Sequence, residues 1–433
     1  MVEERSRRWT MDAGGPRRRG MSRATGPAEL PSTDSDNRVT PNPRVESLVM
    51  NGDIAYFTRA DGCLVAVDTA DQQIRWTRQA APGTAGQYPR SPWVCLRGQE
   101  LLVGGTGLVG YATTTGKPAT TYIEPSTTDT VGSSRYWRPV VAPSGEIIAT
   151  RDAEAVCLDT DGDELWRYQL EPTPVEEIHQ ETGRSTGEFY HPAADDSSVY
   201  LLAEDVVAHV PEPSVEGKIH ALGYDGTRRW KTGVAGHVQG GEVASSVTVG
   251  DSGVYLSQYS SDGTPMGDGV SRLDKQTGTI EWEHGQSGGQ VAYDGTSVFT
   301  TDDLNKRVFA LEPDSGNIKW NHEVPEGDAQ TDSMECDGSV IVDSEYVYAA
   351  LDGRLILLEK ETGRVQDTRR FDHQRPSQFV LSGESLYYGT SNGALYEVAR
   401  QLSETTPTFC PTCGQDLSAL SATNFCPSCG TQL

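Results

Sequence analysis

The sequence predicts an all-β fold: an eight-bladed β-propeller of four-stranded antiparallel blades, plus a small C-terminal zinc ribbon. Three observations carry this expectation: a unit that recurs eight times, turn chemistry that repeats inside the unit, and two matching cysteine knuckles near residue 420. Units comparable to Ala66-Val-Asp-Thr-Ala-Asp-Gln-Gln-Ile-Arg-Trp76 start at Gly110, Cys157, Ala221, Arg272, Ala310, Leu357 and Tyr396. Their spacing of roughly 40–50 residues is that of one four-stranded blade, with one longer interval after Cys157.

Inside each unit a short apolar run is followed by a Gly or Asp turn, a second apolar run, a further turn and a strand that ends in Trp. The fifth copy shows this order as Gly253-Val-Tyr-Leu-Ser257, Arg272-Leu-Asp-Lys-Gln-Thr-Gly278 and Thr279-Ile-Glu-Trp282. Gly116, Gly278, Gly316 and Gly363 supply the positive-φ residue that a tight hairpin needs. The units at Cys157 and Ala221 are one residue shorter and use Asp161-Gly162 and Asp225-Gly226 instead. Trp76, Trp166, Trp230, Trp282 and Trp320 each end an outer strand, and their even distribution predicts wedges between neighbouring blades rather than an exposed aromatic surface.

The pattern Ala-Leu-Asp-x-x-Thr-Gly-x-x-x-Trp resembles the repeat of pyrroloquinoline-quinone-like β-propellers, a group that includes quinoprotein dehydrogenases and outer-membrane assembly propellers. The segment Trp9-Thr-Met-Asp-Ala-Gly-Gly-Pro-Arg-Arg-Arg-Gly20 is similar to a lead-in of archaeal members. The resemblance covers residues 9–400 and implies the fold more strongly than an activity. Thr120 and Asp367 stand where the repeat has Trp, which predicts looser packing of blades 2 and 7.

The eighth unit, with Ser385-Leu-Tyr-Tyr-Gly389 and Ala394-Leu-Tyr-Glu-Val398, runs into polar residues before a fourth strand forms. An open ring would expose unpaired backbone. An N-terminal segment is therefore expected to complete it, with 28–35 the first choice, 6–11 the second, and the first propeller strand near Arg44. The resulting division is a lead-in over 1–27, the propeller over 28–400, a polar linker over 401–409 and the ribbon over 410–433.

With 62 Asp+Glu against 36 Lys+Arg, the 433-residue chain carries a net charge of −26. Such a surface repels phosphate, which excludes a general nucleic-acid or anionic-membrane binder. Lysine occurs only seven times, and many carboxylates with few lysines point to a salt-rich cytosol, where screening tolerates self-repulsion. No run approaches the roughly 18–20 apolar residues of a membrane span. The first twenty residues lack an apolar signal core, and Arg17-Arg18 is followed by no apolar stretch, so a cytoplasmic protein of a halophile, without membrane insertion, is expected.

Cys410-Pro-Thr-Cys413-Gly and Cys426-Pro-Ser-Cys429-Gly form two knuckles. Four thiolates at this spacing converge tetrahedrally on one structural zinc ion. The segment 403–433 holds Glu404 and Asp416 but no Lys or Arg, so a protein partner fits it better than nucleic acid. Cys63, Cys95, Cys157 and Cys336 are scattered singly and are expected to pack as small thiols.

Quinoprotein dehydrogenases, as the resemblance implies, use a vicinal Cys-Cys pair beside pyrroloquinoline quinone. This sequence has no such pair, and the quinone is not expected. Nor does it contain a GxSxG elbow, a phosphate-binding loop or an HExxH helix, and its eight histidines show no ligand spacing. No catalytic residue is assigned.

Arg90, Trp93, Trp137, Arg138, His191 and Arg375 recur where inner strands are expected to begin, at one mouth of the channel. Cations and rings at equivalent positions fit an anion or small-ligand pocket. Side chains that only plug the channel and hydrogen-bond strand ends are the more ordinary reading of the same positions. The acidic run from Glu171 to Arg184 is read as a loop insertion before the fourth blade. The expected function is a non-enzymatic protein-interaction or assembly scaffold; the alternative is a small-ligand or quinone-binding sensor or oxidoreductase at the channel mouth.

Overall fold

The computed structural model describes residues 8–9, 22, 37–38 and 45–399, apart from 60–61, 81–91, 126–136, 172–187, 191, 208–213, 238–246, 259–268, 286–288, 303–304, 325–338, 372–375 and 391–394. The chain divides into two compact units, Met1–Ala399 and Arg400–Leu433. The second unit, with the linker and all four knuckle cysteines, lies outside the described residues. No described helix is long and apolar enough to cross a membrane.

The first unit is an all-β, eight-bladed propeller. Blade 5 shows the pattern: Val247–Val249 is innermost, followed outwards by Gly253–Gln258, Gly269–Asp274 and Ile280–His284, each antiparallel to the last. The two middle strands are buried on both faces and read as continuous apolar runs, as in Arg307–Leu311 of blade 6. The outer strand alternates instead. In Ile318–Glu323 only Trp320 is fully buried, while Ile318 is 46% exposed.

Apolar clusters join neighbouring blades rather than filling single ones. Tyr56, Leu64 and Trp76 of blade 1 pack with Val94, Leu101 and Tyr111 of blade 2. A repeat that cannot bury its own face must do so against its neighbour, so the ring is held by its seams.

At four seams the Trp wedge has a fixed receptor. The indole N–H of Trp76 donates to the Thr113 carbonyl at 2.8 Å, Trp230 to Lys275 at 2.9 Å, Trp282 to Pro313 at 2.9 Å and Trp320 to Lys360 at 2.8 Å. Each acceptor opens the turn of the next blade, and the turn's glycine lies under the ring. A Cβ on Gly278 would come within 2.5 Å of Trp230, and one on Gly363 within 2.4 Å of Trp320, so these glycines are needed for close approach as well as for positive φ. Blade 1 places Gln72 at the corresponding positive φ of 57°.

Trp166 marks the effect of the shorter turn. The Gly226 N–H bonds Gly223 one residue sooner than Gly278 bonds Asp274. Trp166 still packs on Gly226, but its indole N–H finds no acceptor among the described residues. The shortened turn no longer offers the carbonyl its longer relatives present.

Where Thr120 and Asp367 replace the Trp of blades 2 and 7, residues two places beyond make the seam contact. Tyr122 covers Gly162 of blade 3, accepts from Arg97 at 2.9 Å and donates to Glu100 at 2.6 Å. Arg369 reaches the Tyr388 hydroxyl of blade 8 at 3.1 Å.

The ring is closed from the N-terminal side by Asn37–Arg38, and the first-choice segment 28–35 lies outside the described residues. Asn37–Arg38 pairs with Glu397 and Tyr396 and is the fourth strand of blade 8. From the second-choice segment, Arg8–Trp9 pairs instead with Met50 and Asn51 on the inner strand of blade 1. That inner strand is Val45–Asn51, beside the expected start at Arg44.

Candidate functional site

The two faces of the ring are built differently. Inner strands turn into their neighbours through tight connections such as 52–53, 98–99 and 343–345, and the third-to-fourth strand turns lie at the same face. The strand ends at the other face are joined by the long connections, including 81–92, 172–187, 238–246 and 325–339. Inner strands begin at this second face.

Here Arg138 opens the inner strand Arg138–Val141 of blade 3, and Trp93 opens Trp93–Arg97 of blade 2. The Arg138 guanidinium carbon lies 6.0 Å from the Trp93 ring centroid and 5.9 Å from that of Tyr190, which precedes the inner strand of blade 4. Its Nη1 donates to the Phe189 carbonyl at 3.2 Å. One cation is thus held between rings from both flanking blades, at a distance where cation–π attraction contributes about 0.5–2 kcal/mol.

Trp137 turns the other way, because adjacent strand residues face opposite sides. It is 1% exposed, its ring lies 4.9 Å from the Arg151 guanidinium carbon, and its indole N–H has no acceptor among the described residues. Arg151 donates to the Thr106 carbonyl at 3.0 Å, and the Trp137 backbone N–H donates to the Gly105 carbonyl at 3.0 Å. Trp137 therefore forms the wall behind the cluster rather than its surface. Arg90, His191 and Arg375 lie outside the described residues, as do Cys410, Cys413, Cys426 and Cys429.

Sequence reasoning missed the threonines that set this face. Thr58 donates to the Pro92 carbonyl at 2.8 Å, Thr150 to Tyr190 at 2.7 Å and Thr248 to Val291 at 2.8 Å. Each hydroxyl pins the lead-in of the next blade's inner strand. A threonine one residue before a strand end is too common to be read as such a signal.

Ion pairs latch the tight-turn face. Asp195 of blade 4 meets Lys275 of blade 5 at 2.5 Å, and Asp294 of blade 6 meets Lys360 of blade 7 at 3.1 Å. Burial alone would raise both carboxyls; at Asp195 the Lys275 and Ser197 partners outweigh it, and at Asp294 those of Thr296 and Lys360 do, so both lie below the usual range. Where blade 6 has Pro313 in place of the lysine, blade 5 has Gly250 in place of the aspartate.

Two of the described thiols are held protonated by their surroundings. Burial pushes Cys95 and Cys157 up to about 12, and the Cys63 thiol donates to Gln79 at 3.4 Å. Cys336 lies outside the described residues. Among the described residues, no group of three or more His, Cys, Asp or Glu is placed to hold a metal. Chemically, the Trp93–Arg138–Tyr190 cluster can stack a flat group or face an anion.

Comparison with known proteins places this geometry in context. No curated protein sequence matches the chain. Among solved structures, BamB from Moraxella catarrhalis is similar with a TM-score of 0.55 and 16% identity, over 85% of this chain and 99% of that one. Quinohemoprotein alcohol dehydrogenase from Comamonas testosteroni is similar with a TM-score of 0.59 and 12% identity, over 91% and 81% of the two chains. A europium-containing methanol dehydrogenase gives a TM-score of 0.61 and 9% identity, over 90% and 92%. At these identities the likenesses establish the fold, which hosts both an assembly factor and dehydrogenases. The family model described as outer membrane protein assembly factor BamB matches residues 151–406, from the second strand of blade 3 past the last described strand, and the chain belongs to that family.

Proposed function

We propose that the chain is a non-enzymatic protein-interaction or assembly scaffold, and the observation that carries this is that the strand ends joined by its long connections gather at one face of the ring. Loops on a rigid scaffold are where partners dock. The family model, named for an assembly factor, supports the same reading. In this reading the ribbon, with Cys410, Cys413, Cys426 and Cys429 around one structural zinc, adds a second, tethered contact that raises avidity. The acidic surplus and the scarcity of lysine support a salt-rich cytosol as its setting.

The test is crosslinking in high-salt extract with a carboxylate-reactive reagent, followed by mass spectrometry. Crosslinks to one partner protein should fall on the acidic connection 172–187 and its neighbours, with one zinc per chain by elemental analysis. Partner crosslinks confined to the tight-turn face would overturn the proposal.

The Trp93–Arg138–Tyr190 cluster favours a second reading, a small-ligand or quinone site at the channel mouth. An absorption spectrum and native mass of the purified protein separate the two. A stoichiometric organic ligand, lost in Arg138→Ala, would replace the scaffold with a sensor or oxidoreductase.

A further inference from the structure

Several outer strands answer their charges within their own blade. In blade 1 Arg75 meets Asp68 and Asp71, in blade 3 Arg167 meets Glu154 and Glu164, and in blade 6 Glu323 meets Arg307. Blade 4 differs. Its outer strand Arg228–His237 opens on the exposed cations Arg228, Arg229 and Lys231. Arg228 donates to the Tyr168 hydroxyl at 3.3 Å and Arg229 to that of Ser198 at 2.7 Å. Both acceptors are neutral, and Glu171 acts on Arg228 only from farther away.

The next outer strand carries the opposite sign. Ile280–His284 of blade 5 exposes Glu281 and Glu283 and contains no Lys or Arg. Glu281 is paired with Arg272, whereas Glu283 accepts from the Ser271 hydroxyl at 3.3 Å. The two strands belong to one stretch of rim. Trp230 and Thr232 of the first bond the Lys275 and Gly278 carbonyls, at 2.9 Å and 2.7 Å, in the turn that leads into the second. Trp282 lies between the two glutamates in the chain and is half-buried, whereas Trp76, Trp166, Trp230 and Trp320 are buried.

A cationic strip beside an anionic one is complementary to itself, because a two-fold rotation sets each against its opposite. Two copies of a chain with a net charge of −26 repel at most orientations, so unlike charges at the contact select the one that is allowed. A partly exposed Trp within the patch supplies the apolar anchor that such contacts need.

We propose that the rim of blades 4 and 5 is an isologous contact with a second copy of this chain, in which Arg228 and Arg229 of each copy meet Glu283 of the other. The contact leaves the long-connection face open, and the inference is independent of the scaffold reading.

The test is sedimentation equilibrium of the full-length protein at one fixed salt concentration, with charge reversals on either strip. The unmodified protein should form a dimer and nothing larger. One variant combines Arg228→Glu with Arg229→Glu, and the other carries Glu283→Arg. Each alone sets like charges against each other across the two-fold axis and should raise the dimer dissociation constant at least tenfold. Mixed in equal amounts, the two variants should recover a dimer with one copy of each, identified by native mass, because every reversed charge then faces its opposite. An unchanged far-ultraviolet spectrum shows that each variant is folded. A monomeric unmodified protein, an open-ended series of larger species, reversals that leave dissociation unchanged, or folded variants that fail to pair when mixed would each overturn the proposal.

Discussion

Trp166 and Trp320 occupy the same place in their blades and are 8% and 9% exposed, yet only Trp320 has an acceptor for its indole N–H. Replacing each by Phe keeps most of the buried ring and removes the N–H. At Trp320 the change also leaves the Lys360 carbonyl without its donor, so it should cost about 1–3 kcal/mol. At Trp166 it removes a donor that has no acceptor among the described residues, so Trp166→Phe should cost less than Trp320→Phe. Denaturant midpoints of the two variants decide the comparison, and equal losses would contradict it. Titration belongs to the same scale. Burial holds His284 and His322 below the usual histidine range, so the unfolded chain takes up protons first and stability is lost as pH falls below about 6.5. Asp195 and Asp294 are depressed, so their contribution is complete above the ordinary carboxylate range and is lost only as pH falls through their lower folded values. Stability measured against pH should therefore fall in two stages. His284→Leu should reduce the first, and Lys275→Met should move part of the second to higher pH, because Asp195 then loses the largest of the partners that offset its burial.

The outer strands show how one position covers for another. Where Trp is absent at Thr120, Tyr122 supplies the ring that covers the next blade's turn glycine. Tyr122→Ala should accordingly behave as a seam mutation, losing about 2–4 kcal/mol and speeding amide exchange in both Pro118–Ile123 and the Asp159–Glu164 turn. Thr120→Ala, on the same strand, should change stability by less than about 1 kcal/mol. This compensation was not legible beforehand, because Tyr122 lies two residues outside the repeat's register. What was legible was local: the alternation of each blade, the Thr-Gly and Asp-Gly turns, and the Trp that meets the following turn all fall within one unit. The Asp195–Lys275 and Asp294–Lys360 latches join different blades, and no pattern within a unit announces them. The same distinction runs through the candidate site. Trp93 and Arg138 were recognisable because each opens an inner strand, whereas the inward turn of Trp137 followed from the alternation of the strand it precedes.

Ring closure is the property that no single blade possesses. Each of blades 1–7 is made from consecutive strands, but blade 8 takes its fourth strand from Asn37–Arg38, and its seam with blade 1 includes the Tyr387 hydroxyl bonded to Thr69 at 3.3 Å and Ser382 bonded to the Gly52 carbonyl at 3.3 Å. These contacts join the two ends of the propeller, so they carry the largest loop-closure cost in the molecule and should form last. The closing pair is polar and two residues long, without the alternation that marks a strand, which is why it was expected a few residues too early. Its contribution comes from backbone pairing, and proline removes that pairing without relying on either side chain. Arg38→Pro should release the outer edge of blade 8, raising amide exchange in Ser385–Thr390 and Leu395–Ala399 by at least tenfold while blades 3–6 keep their protection. Uniform loss of protection around the ring would instead show that closure and the seams form one cooperative unit. Unchanged exchange in blade 8 would show that Asn37–Arg38 does not hold the ring closed.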